Sequence, residues 1–293
     1  MMKIIDAHIH FSTSHHFNET AAAAGHENTV PHLSRVLREL QIVRTVVMGS
    51  GGKTPDDGIS HALGPDLAGP VDVVDYNQPS FVAYCCGVDS ATLTPRNVTA
   101  SLADFERHLR CPACVGIKLY PGYNYFYPDD ELYYSFYELA AVYDVPVVFH
   151  TGDTASSRAL VKYSHPLQVD AVAVKFPQTT FVMAHYGNPW LVDATEVLAK
   201  NPNVFADLSG LATGHFDIES FCETYRAYLD QLRCWLAYLS DYEKVMYGSD
   251  WPLVNLYNYV ELLRRVIPAR HHESVFYRNA RRIYRKLDAL PEE

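Results

Sequence analysis

No apolar run in the 293-residue sequence reaches the ~20 residues that a membrane-spanning helix needs. The amino terminus has no secretory-signal layout either, because histidines interrupt its apolar stretch almost at once. Cysteine is scarce: of six, only Cys111 and Cys114 form a C-x-x-C. A zinc ribbon needs a second such pair, and a redox motif is expected beside a thioredoxin-like pattern; the sequence has neither. The six therefore read as reduced thiols, and the expected compartment is the cytoplasm. Basic residues are in deficit, 24 Lys and Arg against 34 Asp and Glu, a formal net charge of -10. A field of that sign repels phosphate backbones and anionic lipid, so neither nucleic acid nor a membrane surface is an expected partner. A small-molecule substrate is, and an anionic one still fits, because a local arginine or metal reverses the sign inside a pocket. No linker divides the chain and no internal repeat is visible, so residues 1–293 are read as one domain.

What is present starts at the first residues. Lys3-Ile4-Ile5 begins a buried strand on which Asp6, His8 and His10 follow at a period of two. On a regular strand that period places all three on one face, with His8 and His10 about 7 Å apart along the backbone and able to share a metal ion. Further apolar runs at 44–50, 81–89, 114–122, 146–153, 179–187, 203–210 and 244–252 read as seven more strands. They are continuous rather than alternating, as strands covered on both faces are. Helical periodicity falls between them, at 30–42 (with Thr29 as N-cap and Pro31 in the first turn), 96–109, 129–143, 166–176, 191–200, 218–239, 257–266 and 273–287. Residues 12–28 read as a long loop or short irregular helix, and 51–79 as a long loop with a little helix. Eight strand–helix alternations over this length predict a (β/α)8 TIM-like barrel, with a doubly wound open sheet as the alternative.

In such a barrel the chemistry sits at the C-terminal ends of the strands. Those ends carry Asp6, His8 and His10 on the first strand, Lys118 on the fourth, His150 on the fifth, His185 on the sixth and Asp250 on the eighth. His150, His185 and Asp250 each lie just past an apolar run. A lone histidine at a strand end is more often structural than a ligand, but three histidine-bearing strands and an aspartate at the same face form a joint signal. In the loops, His15, His16, His26 and Arg158 fall in segments expected to overhang the barrel mouth. Arg158 is the candidate for gripping a substrate carboxylate, by a bidentate pair. Tyr120, Tyr123, Tyr125 and Tyr127 cluster after the fourth strand, and Trp190 and Trp251 follow the sixth and eighth. The tyrosines offer either a stacking surface for an aromatic ring or a subunit contact; the second would make a homodimer.

The order D-x-H-x-H, G-x-K, H, H, G-S-D-W-P resembles the amidohydrolase superfamily of metal-dependent hydrolases. The forms GIKLYPG and YGSDWP are similar to the branch that includes aminocarboxymuconate semialdehyde decarboxylase and pyrone dicarboxylate lactonase. FYRNARRIY, at 276–284, resembles the terminal helix common there. The resemblance runs from residue 3 to about 287 and implies the barrel-only type, since the first strand leaves no room before it for the β-sandwich half of many relatives. It implies that His8, His10, His150 and Asp250 surround one divalent metal, zinc or another such as Mn2+, with His185 beside the metal-bound water. Imidazoles and one carboxylate suit zinc, which lowers the pKa of its water to about 7. Asp250 would then accept the proton and His185 orient the water or stabilise an oxyanion. Lys118, a carboxylated metal bridge in binuclear relatives, is expected here as an ordinary ammonium that binds a substrate oxygen or pairs with Asp250, alongside Tyr120. The activity implied is hydrolysis of a small-molecule ester, lactone or amide; the alternative is a metal-dependent non-oxidative decarboxylase.

Overall fold

The computed structural model describes residues 2–11, 14–49, 80–87 and 93–290. All eight expected strands are present: β1 (Ile4–Ile9), β2 (Ile42–Met48), β3 (Val82–Gly87), β4 (Cys114–Leu119), β5 (Val147–Phe149), β6 (Phe181–Met183), β7 (Val204–Asp207) and β8 (Val245–Met246). They pair in parallel, each with the next in sequence. The sheet then comes round on itself: Tyr247 O accepts from Ala7 N, His8 O accepts from Asp250 N, and Ile9 bridges to Trp251. This is the (β/α)8 barrel, and the open sheet is excluded.

Alternate strand residues face inward. Ile5, Ala7, Val46, Met48, Ala83, Cys85, Val115, Val148, Val182, Ala184 and Met246 form one buried cluster, plugged from the bottom by Ala280, Ile283, Tyr284 and Leu287. The opposite faces pack under the helices in the larger cluster. The helix Val30–Leu40 shows how the sequence specifies this layer. Thr29 accepts from His32 N at its start, Pro31 occupies the first turn, and Gln41 ends it in the left-handed conformation. Its buried residues, Leu33, Val36 and Leu37, are the i, i+3, i+4 stripe that the periodicity marked.

Four local differences from the expectation have physical reasons. Residues 15–23 form a regular helix, His15–Ala23, capped by Ser14, whose side chain accepts from Phe17 N. The span 218–239 is two helices, Ile218–Thr224 and Arg226–Leu239, and the first buries no residue that would hold it in line with the second. The C-terminal span divides into a π-turn (Ser274–Arg278), an α-helical turn (Asn279–Ile283) and a 3-10 turn (Arg285–Ala289). Its Val275 carbonyl is drawn off to accept from Tyr247 N beside β8. Finally, β1 carries a bulge: Asp6 pairs with Thr45 and Ile9 with Val47, so three steps on β1 match two on β2. The loop expected at 51–79 lies outside the described residues. No helix among the described residues is long and apolar enough to cross a membrane.

Candidate metal centre

The bulge decides what β1 presents at the barrel mouth. Ile5 and Ala7 line the barrel, so unbroken alternation would turn His8 away from the axis; the extra residue re-aims it. His8 and His10 consequently converge, with Nε2 atoms 3.4 Å apart. Asp6 does not join them. Its Oδ1 accepts from Ser249 N (2.8 Å) and from His8 N (3.3 Å), tying β1 to β8. Burial pushes its carboxyl up to about 7 in spite of those donors.

Asp250 closes the set. Its Oδ1 lies 3.5 Å from His8 Nε2 and 3.3 Å from His10 Nε2, and among the described residues it has no hydrogen bond of its own although it is buried. Asp250 sits at φ 65°, a left-handed conformation that Asp adopts more readily than most residues and that aims the carboxylate at the histidines. Burial raises its pKa, but His10, foremost among the neighbouring imidazoles, outweighs that and keeps the carboxyl well below the usual carboxylate range. The triangle passes a simple test of fit. Donors 2.0–2.1 Å from a tetrahedral zinc stand about 3.3–3.4 Å from one another. The three observed separations match that, and the donor set is two imidazoles and an otherwise orphaned carboxylate oxygen.

A second set of close donors, His8, His185 and Asp207, is held together by hydrogen bonds. Asp207 Oδ2 accepts from His8 Nδ1 at 2.9 Å, and Oδ1 accepts from His185 N, Ser209 N and Ser209 Oγ. Because the Ser209 hydroxyl donates to Asp207, it accepts from His185 Nδ1 (2.8 Å). Burial raises the pKa of Asp207, yet His8, His185 and Ser209 hold it well below the usual range. Burial lowers the pKa of His8 to about 4 and that of His185 as well, so both are neutral near pH 7. With Nδ1 protonated in each, both Nε2 lone pairs face the site. Gly210 makes the packing feasible: at φ 65° a Cβ there would lie 2.9 Å from His185 Nδ1 and 3.1 Å from Asp250 Oδ2.

His150 stands beside this group rather than in the triangle. Its Nε2 donates to Asp153 O (2.8 Å) and its Nδ1 faces His185 Nε2 at 3.2 Å. Both facing nitrogens are bare, so a proton or a cation completes the pair. Tyr120 and Tyr123 flank the His150 ring, at 6.2 and 4.9 Å between centroids. Lys118 is wholly buried, 5.0 Å over the Tyr120 ring, with no hydrogen-bond partner for Nζ among the described residues. Arg158 is exposed; its backbone carbonyl accepts from Tyr125 OH, and its guanidinium has no ion pair among the described residues. Of the loop histidines, His15 and His16 are exposed, whereas His26 is buried against Trp251 and accepts from Leu256 N. The sequence patterns singled out neither Asp207 nor Ser209. The signal that found Asp250 was there, since Asp207 also ends an apolar run (VFA) at a strand's C-terminal end.

The buried ammonium has a measurable consequence. Burial lowers the Lys118 pKa from 10.5 to about 8, against the opposing pull of Asp207 and Asp250, a cost of about 3 kcal/mol wherever the group is charged in both states. Between those two values the unfolded chain keeps a proton that the native protein has released. Stability therefore rises with pH across that window, and the full cost is present below it. Lys118→Met is expected to raise the melting temperature of the metal-free protein by several degrees at pH 7 and to flatten its dependence between pH 8 and 10.5. An unchanged melting temperature would show that the ammonium is compensated.

The fold and the matching family agree. The family model for amidohydrolases matches residues 87–286, more than half of the chain. No curated protein matches the sequence. Among solved structures, a zinc-bound amidohydrolase from Burkholderia multivorans shares 18% identity, with 99% of this chain and 100% of that one covered and a TM-score of 0.63. A probable 2-pyrone-4,6-dicarboxylic acid hydrolase from Acinetobacter baumannii shares 16% (97% and 99% covered, TM-score 0.60). The 5-carboxyvanillate decarboxylase of Sphingomonas paucimobilis shares 13% (97% and 99% covered, TM-score 0.62). At such identities the likeness speaks for the barrel alone, whereas the family model reads the sequence itself. By that match the chain belongs to the amidohydrolase family.

Proposed function

We propose that the protein is a metal-dependent hydrolase of a small-molecule ester, lactone or amide. The observation that carries this is the His8–His10–Asp250 triangle, whose donors have the spacing of ligands on one ion and whose carboxylate oxygen has no other partner among the described residues. Those three would hold one divalent metal, zinc or another such as Mn2+. His150 is the fourth donor in this proposal, through Nδ1, since its Nε2 proton is committed to Asp153 O. When bound, such an ion supplies a Lewis acid and an acidified water.

The chain's own groups do the rest. Asp250, ionised and facing two imidazoles, accepts a proton from the attacking water and returns it to the leaving group. His185 has its Nδ1 proton fixed by Ser209, so its Nε2 orients the water or, once protonated, steadies a developing oxyanion. Lys118 offers an ammonium unpaired among the described residues to a substrate oxygen, with Tyr120 and Tyr123 as one wall of the site. Arg158, free of ion pairs among the described residues, grips a carboxylate if the substrate carries one.

A second reading, non-oxidative decarboxylation, uses the same residues, and the likeness to a decarboxylase of the same fold supports it. There Asp250 or His185 would deliver the proton to carbon. Isotope labelling separates the two. The metal-loaded protein is incubated with panels of lactones, esters, amides and carboxylated aromatic acids, in H2(18)O and in D2O. Hydrolysis is expected to place one 18O in the product acid with no gas released. Release of CO2 with a solvent deuteron on carbon would overturn hydrolysis in favour of the lyase.

A further inference from the structure

We infer that Asp207 is a positioning residue that fixes the ring tautomers of His8 and His185 together, holding both Nε2 lone pairs toward the metal centre. The inference rests on the reading above, in which His8 holds a divalent metal. Asp207 ends β7 wholly buried, and each of its oxygens has a separate task. Among the described residues, Oδ2 accepts only from His8 Nδ1. Oδ1 accepts from three donors on the far side: His185 N at 3.0 Å, Ser209 N at 3.1 Å and Ser209 Oγ at 2.5 Å. Ser209 passes the constraint on, because a hydroxyl that donates to a carboxylate is left to accept, here from His185 Nδ1. The segment carrying Ser209 is itself held: Tyr259 donates to Leu208 O and accepts from Leu211 N.

This arrangement makes an isosteric change informative. In Asp207→Asn one oxygen becomes an NH2 group, and the side chain must choose which way to face. The Oδ1 side meets two fixed backbone N–H donors as well as the Ser209 hydroxyl, so an NH2 there would lose both backbone hydrogen bonds and face two N–H groups. The amide oxygen is therefore forced to that side and the NH2 toward His8 Nδ1. His8 must then accept at Nδ1 and carry its proton on Nε2, the atom that faces His10 and Asp250. A protonated Nε2 has no lone pair for a metal. His185 keeps its Ser209 partner and its tautomer.

The test is long-range 1H–15N correlation on the metal-free protein near neutral pH, with the His8 signals identified by their loss in His8→Gln, together with zinc affinity by chelator competition. The wild-type protein is expected to show His8 protonated on Nδ1, and Asp207→Asn to show it protonated on Nε2. Zinc affinity should fall by roughly 10- to 100-fold, the usual effect of losing a carboxylate behind a metal-binding histidine. A side chain needed only for folding would move stability without switching the tautomer. If Asp207→Asn does not fold, the wild-type spectrum still decides: a His8 proton on Nε2 overturns the inference and one on Nδ1 supports it. A folded Asp207→Asn with an unchanged tautomer and unchanged zinc affinity overturns the inference alone. Failure of the wild-type protein to bind zinc or manganese removes the functional reading and the inference with it.

Discussion

Asp250→Asn is expected to lower turnover on an identified substrate by roughly 10²- to 10⁴-fold, the range typical of a lost general base, with the fold intact and much of the metal still bound. The substitution is nearly silent for the backbone, because asparagine is among the few residues that accept φ 65° readily. It is also nearly silent in shape, and an amide oxygen can still face His8 and His10. What it removes is the negative charge of a carboxyl that His10 keeps well below the usual carboxylate range, and with it the capacity to take a proton. His185→Asn should also lower turnover with little loss of metal. Near-normal turnover in Asp250→Asn would mean that the proton goes elsewhere and that the role given to this carboxylate is wrong.

Loss of the two β1 histidines is expected to abolish metal binding. The purified protein should hold one tightly bound divalent ion per chain, lose activity with a chelator and regain it with added zinc or manganese. Replacing both His8 and His10 by alanine removes two of the triangle's three donors. His10→Ala is the cleaner single change, since that side chain is 25% exposed and, unlike His8, leaves no buried carboxylate oxygen at Asp207 without its donor. His8→Ala also leaves Asp207 Oδ2 buried without a donor, an added penalty of about 1–3 kcal/mol or more. Metal content unchanged in His8→Ala/His10→Ala would remove the basis of the functional reading.

The barrel is legible in the sequence because its strands are continuous apolar runs bounded by glycine, proline and polar residues, a pattern that survives without tertiary information. His8, His10, His185 and Asp250 are legible for a related reason: each lies at or just past such a run, at the barrel's functional end. The local geometry is not. Simple alternation puts Asp6 with His8 and His10, but the bulge in β1 depends on pairing with β2 and on closure against β8, residues far away in sequence. Whether a loop histidine overhangs the mouth or is buried under Trp251, as His26 is, likewise depends on contacts with the segment at Leu256. The position of His150 turns on a hydrogen bond to the carbonyl of Asp153, which no side-chain pattern encodes. Asp207 differs from these, because its strand-end position could have marked it as it marked Asp250.

The most direct test is a crystal structure of the metal-loaded protein with anomalous diffraction measured at the metal's absorption edge. One peak per chain is expected, within bonding distance of His8 Nε2, His10 Nε2 and Asp250 Oδ1, with Lys118 unmodified. No peak among those three atoms, or two peaks about 3.5 Å apart bridged by a carboxylated Lys118, would contradict the single-metal centre.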